Sequence, residues 1–385
     1  MVTKPSISID ASNKNAPTRD HPTSKEVRES LPKAKATKTH PKHQNETSDK
    51  KTDSNNASLF FVGTATTILE WEGLRLMTDP NFLHAGDHVH LGPGVTGTRR
   101  TNPAVDLHDL PPIDLVLLSH YHADHFDEEV EAALRRDLPI ITTPHAHACL
   151  TTQKSDEERF TNVHALDKWD NMFVDMQSAP PKQRKDQSRP RPQPRLRVEG
   201  MPGKHVGDGL LSRANDILGA VPPTNGWMLE LGYDTPSSTE SSTTATTPTS
   251  ASPADASASS PAFQSSYRIY ISGDTLNVDE LSQIPEHYTH AGKPIDLMLI
   301  HLGGTTIPGP SMPLLMVTMD AKQGVALVKL VQPDVVVPIH YDDYDVFLSP
   351  LADFQTEMTN AGLDHKAVYL DRGDEFRFEV QRPAG

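Results

Sequence analysis

Between Ser119 and Asp127 the chain reads Ser-His-Tyr-His-Ala-Asp-His-Phe-Asp, which puts three histidines and an aspartate in the pattern His-x-His-x-Asp-His at His120, His122, Asp124 and His125. Neutral imidazole nitrogens and carboxylate oxygens are good ligands for Zn²⁺ and similar divalent ions. Residues two apart in an extended segment point the same way. His120 and His122 are therefore placed to hold one ion, and Asp124 and His125, on the turn that follows, to face a second. A lone His-x-His carries little weight. Four ligand-type residues in six positions point to a metal site rather than to a polar surface turn.

The elements around the cluster say how it is positioned. Leu115, Val116, Leu117 and Leu118 form a short apolar run of the kind found in buried strands. Asp127-Glu-Glu-Val-Glu-Ala-Ala-Leu after it predicts a helix over Glu128–Arg136, with Asp127 as N-cap and acids in the first turn. The cluster thus sits on a loop at the carboxyl end of a strand, where α/β proteins place their sites. Upstream, Leu59–Gly63 reads as a strand, and Ile68–Trp71 and Leu74–Met77 as a hairpin around Glu72-Gly73. Asp79, in Thr78-Asp79-Pro80, is either a turn former or a carboxylate that orients a ligand histidine.

The rest of the chain is uneven. It has 385 residues, 36% hydrophobic, with 33 prolines. Met1–Ala57 is rich in Ser, Thr, Asn, Lys and Pro and is expected to be a disordered tail. It lacks the apolar core of a secretory signal. This tail carries a net +4, so the remaining residues hold −19 of the total −15. Such an acidic body argues against nucleic acid as a ligand. The single cysteine, Cys149, allows no internal disulfide, and no run approaches the ~20 apolar residues of a membrane span. A soluble, cytoplasmic protein acting on a small molecule is expected, its oligomeric state open.

Low-complexity stretches at about Ala179–Pro194 and Tyr233–Gln264 each interrupt a pair of strand-like runs. Lengthening a surface loop costs little, so one domain over 58–385 is expected to carry both as disordered inserts. His84, His88 and His90 fall in a Gly- and Pro-containing loop, Asn81–Leu110, that reads as substrate-facing rather than metal-binding. His145 and His147 imitate His-x-His but have no following acid or third histidine, and read as a solvated helix start.

The segment His120 to His125 resembles the signature of the metallo-β-lactamase superfamily. That resemblance implies a four-layer αββα sandwich binding one or two metal ions at one edge of the paired sheets. It also implies a third histidine, a bridging aspartate and a final histidine. Here Gly200-Met-Pro-Gly-Lys-His205, Ser272-Gly273-Asp274-Thr275 and Pro338-Ile339-His340 match, each after a strand-like run. The implied set is His120, His122 and His205 for one ion, Asp124, His125 and His340 for the other, and Asp274 between them. Zinc is the ion expected, with manganese or iron compatible. Within the superfamily these pieces look most similar to the branch of ascorbate-phosphate lactonase and N-acyl-phosphatidylethanolamine phospholipase D type enzymes. The apolar entrance of the phospholipase is not visible, and His301 and the stretch Thr305–Pro313 depart from the common pattern.

The chemistry implied is hydrolysis of an ester, lactone or phosphodiester-type bond by hydroxide held between the ions, with Asp274 positioning the pair and Asp124 carrying a proton. His301, Tyr341 and Asp342, at strand ends near the same edge, are expected to contact substrate or to brace the ligands. Three alternatives stand beside the hydrolase. One is a metal-holding scaffold without turnover. Another is a di-iron redox protein of the same fold, a class that usually has glutamate where His122 stands. The last is a nuclease, which the acidic body disfavours.

Overall fold

The structure is a computed structural model that describes residues 5–10, 12, 15–19, 27–43, 55–92, 95–177, 192–207, 215, 221–235, 262–307 and 315–383. In chain order the first half holds strands β1 (Ser6–Asp10), β2 (Thr37–Lys38), β3 (Ala57–Gly63), β4 (Thr66–Trp71), β5 (Leu74–Thr78), β6 (His88–Gly92), β7 (Val95–Thr98) and β8 (Leu115–Leu118). Helix α1 (Glu128–Ala133), β9 (Ile140–Thr142), α2 (Pro144–Leu150), β10 (Val163–Ala165), β11 (Asn171–Gln177) and β12 (Gln193–Met201) follow. Then come β13 (Gly226–Thr235), β14 (Ala262–Ile271), α3 (Gln283–His287), β15 (Leu297–His301), β16 (Thr306–Ile307) and β17 (Leu315–Met316). Helix α4 (Ala321–Val331), β18 (Val335–Ile339), α5 (Leu351–Asn360) and β19 (Glu375–Phe378) complete it.

Period-two apolar patterns build the layers. Leu59 and Phe61 of β3 and Leu115 and Leu117 of β8 point into a core shared with Val174, Leu196, Leu229, Ile269, Leu297 and Val335. Their alternates Phe60, Val62, Val116 and Leu118 pack outward against Val130, Ala146 and Leu150 of α1 and α2. On the other sheet Met298 and Ile300 turn outward to Ile284, Val325, Val328 and Phe354 of α3, α4 and α5. A strand apolar on both faces is what a sheet covered on both sides requires. The result is the expected αββα sandwich, its sheets ordered β1-β11-β12-β13-β14-β15-β18 and β10-β9-β8-β5-β4-β3-β19-β2.

Direction matters for the site. β5, β8 and β9 run parallel, as do β14, β15 and β18. β12 lies two antiparallel steps from β14 and so runs the same way as it. The carboxyl ends of β5, β8, β12, β14, β15 and β18 therefore meet at one edge. Helix α1 is shorter than expected: Leu134 leaves helical geometry (ψ 142°) and bridges Thr18. Asp320 caps α4 by accepting from the backbone N–H of Gln323 at 2.9 Å.

The amino-terminal stretch corrects the sequence reading. Within Met1–Ala57, β1 runs parallel to β11 with Ile9 buried, Arg19 N donates to Ala133 O at 2.8 Å, and β2 pairs with β19. Ile7 and Ile9 alternate as a strand does, so five residues suffice to extend a sheet edge. These segments pack and are not a free tail. Of the expected inserts, 179–191 and 236–261 lie outside the described residues. Gln193 and Pro194 instead extend β12, Tyr233–Thr235 extend β13 and Ala262–Gln264 extend β14.

Candidate metal centre

Six strand ends deliver the site. The turn after β8 carries His120, His122, Asp124 and His125; the turn after β12 carries His205; β14 leads into Ser272-Gly273-Asp274. β15 ends on His301, β18 leads into His340, and β5 leads into Asp79. Gly273 is at φ 63°, and a Cβ there would lie 2.3 Å from Asn225 O, so only glycine lets Asp274 turn inward here. His120, Asp124, His125, His205, Asp274 and His340 are all buried, and His122 is half-buried.

The tautomers are set from behind. His340 Nδ1 donates to Leu302 O at 2.8 Å and His205 Nδ1 to Val317 O at 3.1 Å. His125 Nδ1 lies 3.4 Å from Asp79 Oδ2, and His120 Nδ1 lies 2.9 Å from Ser119 Oγ. Each ring thus turns Nε2 to the centre. His125 Nε2 is 3.2 Å from His340 Nε2 and 3.2 Å from Asp274 Oδ2. His340 Nε2 is 3.6 Å from Asp274 Oδ2 and 3.5 Å from Asp124 Oδ2. A tetrahedral ion with bonds of ~2.0–2.1 Å has ligand–ligand edges of about 3.3–3.4 Å, so these four donors stand at the spacing a shared ion needs. On the other side His120, His122 and His205 face one another with ring centroids 4.5–6.3 Å apart. His120 Nε2, His205 Nε2 and Asp274 Oδ1 are buried without any hydrogen-bond partner. Orphaned buried donors and acceptors are costly, and a cation between them would satisfy all three. The residues present fit a metal.

Burial lowers the proton affinity of His120 well below that of a free imidazole and takes His205 down to about 4. Burial also pushes the Asp274 carboxyl up, yet His340 and His125 beside it pull it well below the carboxylate range. Conversely burial depresses His125, but Asp274 and Asp124 raise it well above 6.5. Thr318 Oγ1 donates to Asp274 Oδ2 at 3.0 Å and fixes that carboxylate.

The remaining candidates fall elsewhere. Asp79 is buried at φ 35°, accepts from Ser119 N at 2.6 Å and reaches both His125 and His301. His301 is fully buried behind His125, stacked on it at 5.9 Å, with Nε2 3.6 Å from Asp79 Oδ2. It braces the Asp79–His125 pair and is closed off from solvent. Tyr341 donates its hydroxyl to Leu370 O at 2.9 Å, and Asp342 is exposed and accepts from Leu351 N at 3.4 Å. Neither joins the centre. His340 and Asp342 both have left-handed backbones (φ 60° and 57°), which ends the strand alternation from which their positions were expected.

The stretch Asn81–Leu110 is not a bare loop: it contains the β6–β7 hairpin, whose Leu91 and Val95 line the mouth of the centre while His84, His88 and His90 are exposed. His145 lies exposed in the first turn of α2, capped by Thr143. It borders a cleft of about 370 Å³ together with Lys204, His205, Val206, Val221 and Thr224. Sequence reading missed Thr318, and missed Thr224, whose Oγ1 lies 3.5 Å from His120 Nδ1. It also missed Arg99 and Asn81 behind the metal loop. No local motif marks such partners, which are brought in from distant segments.

A family model described as a beta-lactamase superfamily domain matches residues 70–208. The chain is 30% identical over 115 residues to the mitochondrial N-acyl-phosphatidylethanolamine-hydrolyzing phospholipase D of Saccharomyces cerevisiae, a match spanning 30% of this chain and only 23% of that relative's length. It is 22% identical over 306 residues to a UPF0173 metal-dependent hydrolase of Salinibacter ruber, covering 80% of this chain and 94% of that one. Among solved structures, the isothiocyanate hydrolase from Delia radicum gut bacteria shares the fold at a TM-score of 0.57 and 18% identity, over 84% of this chain and 100% of that one. With a two-sheet sandwich and a His-x-His-x-Asp-His turn at its edge, the chain carries a beta-lactamase superfamily domain over residues 70–208 and is similar over most of its length to metal-dependent hydrolases.

Proposed function

We propose that the chain hydrolyses an ester, lactone or phosphodiester-type bond in a small molecule, using two divalent ions. His120, His122 and His205 would hold one, Asp124, His125 and His340 the other, with Asp274 between. The observation that carries this reading is the convergence of His125 Nε2, His340 Nε2, Asp124 Oδ2 and Asp274 Oδ2 at tetrahedral-edge spacing beside the orphaned atoms of His120, His205 and Asp274. A borderline N/O set of this kind suits zinc first, and also manganese or iron.

When bound, such ions lower the pKa of a water toward ~7 and polarise the carbonyl or phosphoryl oxygen. The chain's own residues do the rest. Val317 O, Leu302 O and Asp79 keep His205, His340 and His125 in the tautomer whose Nε2 is free. Thr318 holds the Asp274 carboxylate in place. Asp124, buried at the mouth beside His122, would accept a proton from the attacking water and return it to the leaving group. Leu91, Val95 and Val317 shield the centre from bulk water, which strengthens every charge interaction within it. The cleft beside His205, within the size range of small-ligand sites, would take the body of the substrate.

The test is a hydrolysis screen over lactones, thioesters and phosphodiesters with protein as purified, stripped by chelator, and reloaded with Zn²⁺. Turnover that disappears on stripping and returns on reloading supports the reading. Metal uptake without turnover of any class would favour the scaffold instead.

A further inference from the structure

Arg99, the residue that follows β7, has a fully buried side chain. A guanidinium out of water is costly unless its donors are met; here Nε and one terminal nitrogen are met, by segments that lead to the centre, while the other terminal nitrogen has no hydrogen-bond partner and rests against the Asp343 carboxylate. One terminal N–H group donates to Asn81 Oδ1 at 2.6 Å and to the Thr64 hydroxyl. Nε donates to Thr101 O at 3.0 Å, and the other terminal nitrogen lies 3.7 Å from Asp343 Oδ1. Asn81 then passes the contact on, its Nδ2 donating to Ala123 O at 3.1 Å, between His122 and Asp124. Thr64 does the same on the other side, its carbonyl accepting from His340 N at 2.8 Å while its own N–H donates to Asp343 Oδ2 at 2.9 Å. That last contact steadies a Thr64 held at φ 50° next to a His340 held at φ 60°.

The guanidinium therefore reaches, through Asn81 and Thr64, the turn that presents His122, Asp124 and His125 and the strand end that presents His340, and none of the partners of His120 or His205. Those two rest on Ser119, Thr224 and Val317 O. We infer that Arg99 is a positioning residue mainly for one half of the centre: through Asn81 and Thr64 it sets the separation of the turn carrying Asp124 and His125 from His340, and so governs affinity for the ion those residues hold more strongly than for the ion held by His120, His122 and His205, whose only link to it is His122 beside Ala123. The inference rests on the two-ion reading above. Lysine would not replace arginine, because a single ammonium lacks the planar fork that meets Asn81, Thr64 and Thr101 together.

The test strips the full-length parent, Arg99→Lys and Asn81→Ala with chelator and titrates each with Zn²⁺ against a chromophoric chelator. His205→Ala identifies which step belongs to the half that His205 serves, and thermal unfolding of the ion-free chains runs alongside. In both Arg99→Lys and Asn81→Ala the step assigned to His120, His122 and His205 is expected to stay within about twofold, while the other weakens by about 10–100-fold, the usual cost of losing a partner behind a metal ligand. Both steps weakening in parallel, or neither moving, overturns the inference. Should Arg99→Lys fail to fold, Asn81→Ala decides alone by the same criteria. A parent that takes up only one ion overturns the two-ion reading and this inference together. A two-ion parent with parallel losses overturns this inference alone.

Discussion

His120 and His205 are braced by a serine, a threonine and a backbone carbonyl, whereas His125 reaches the Asp79 carboxylate, and His340, its ring on Leu302 O, is tied through its backbone and Thr64 to Arg99 and Asp343. Neutral partners tolerate change, because a lost hydroxyl leaves behind a group that water or a small shift can satisfy. A buried ion pair does not, since removing one member strands the other. The same asymmetry shows in the histidines' proton affinities. Burial alone dominates on the His205 side, and the carboxylates dominate on the His125 side. One half of the centre is ready for an ion, and the other must first give up a proton.

On the proposed two-ion reading Asp274 lies between the ions, so its loss should erase the difference. Asp274→Ala is expected to release one or both ions and to cut turnover by more than the ~10²–10³-fold that one lost stabilising donor costs. Elemental analysis beside a rate measurement checks it, and a variant that keeps two ions and full turnover would remove Asp274 from the centre.

Asp79→Asn should strike one half only. The amide would keep an oxygen for Ser119 N but present an N–H to His125 Nδ1, driving the ring proton to Nε2 and closing its lone pair to an ion. A loss of about 10–100-fold in affinity for the second ion is expected, with the first unchanged. Thr224→Val, the corresponding change on the neutral side, should alter the first ion's affinity by less than about threefold, because its 3.5 Å contact is weak. Equal effects from the two variants would dissolve the distinction between the halves.

The two sides should also respond to pH with opposite sign. In the ion-free chain the raised His125 lends stability that is complete below about 6.5 and is lost as pH rises through its folded value. His205, at about 4, does the reverse: its contribution is complete above about 6.5 and disappears as pH falls toward 4. Ligands must be deprotonated to bind, so between pH 7 and 5 the ion on the His125 side should be lost first. Stepwise titrations at several pH values check this. Away from both halves, His147→Ala should leave metal content unchanged and turnover within about twofold, while His145→Ala should leave metal content unchanged and shift only substrate affinity, since its ring borders the cleft beside His205.

What the sequence made legible follows the same division. The turn His120 to His125 could be read directly because its chemistry is contiguous and follows an apolar strand. His205, Asp274 and His340 required the resemblance, because each is a single residue at the end of its own strand. The partners that brace them were not legible. Arg99 and Tyr344 meet across 245 positions, and Thr318 reaches Asp274 across 44, and no periodicity encodes such pairings. Tyr341 and Asp342 were misplaced because the left-handed residues after β18 cannot be foreseen from strand alternation. The amino-terminal segments were misread because composition averages over a stretch, while pairing along a sheet edge needs only Ile7 and Ile9 in alternation.

The most direct measurement is anomalous diffraction at the zinc edge from crystals of the zinc-loaded protein. Two peaks about 3.5–4 Å apart are expected, one among His120, His122 and His205 and the other among Asp124, His125 and His340, with Asp274 between them. Asp79, His125 and His301 form a further buried group close enough to hold an ion. A single peak there, or no peak at the strand edge, would contradict the two-ion centre.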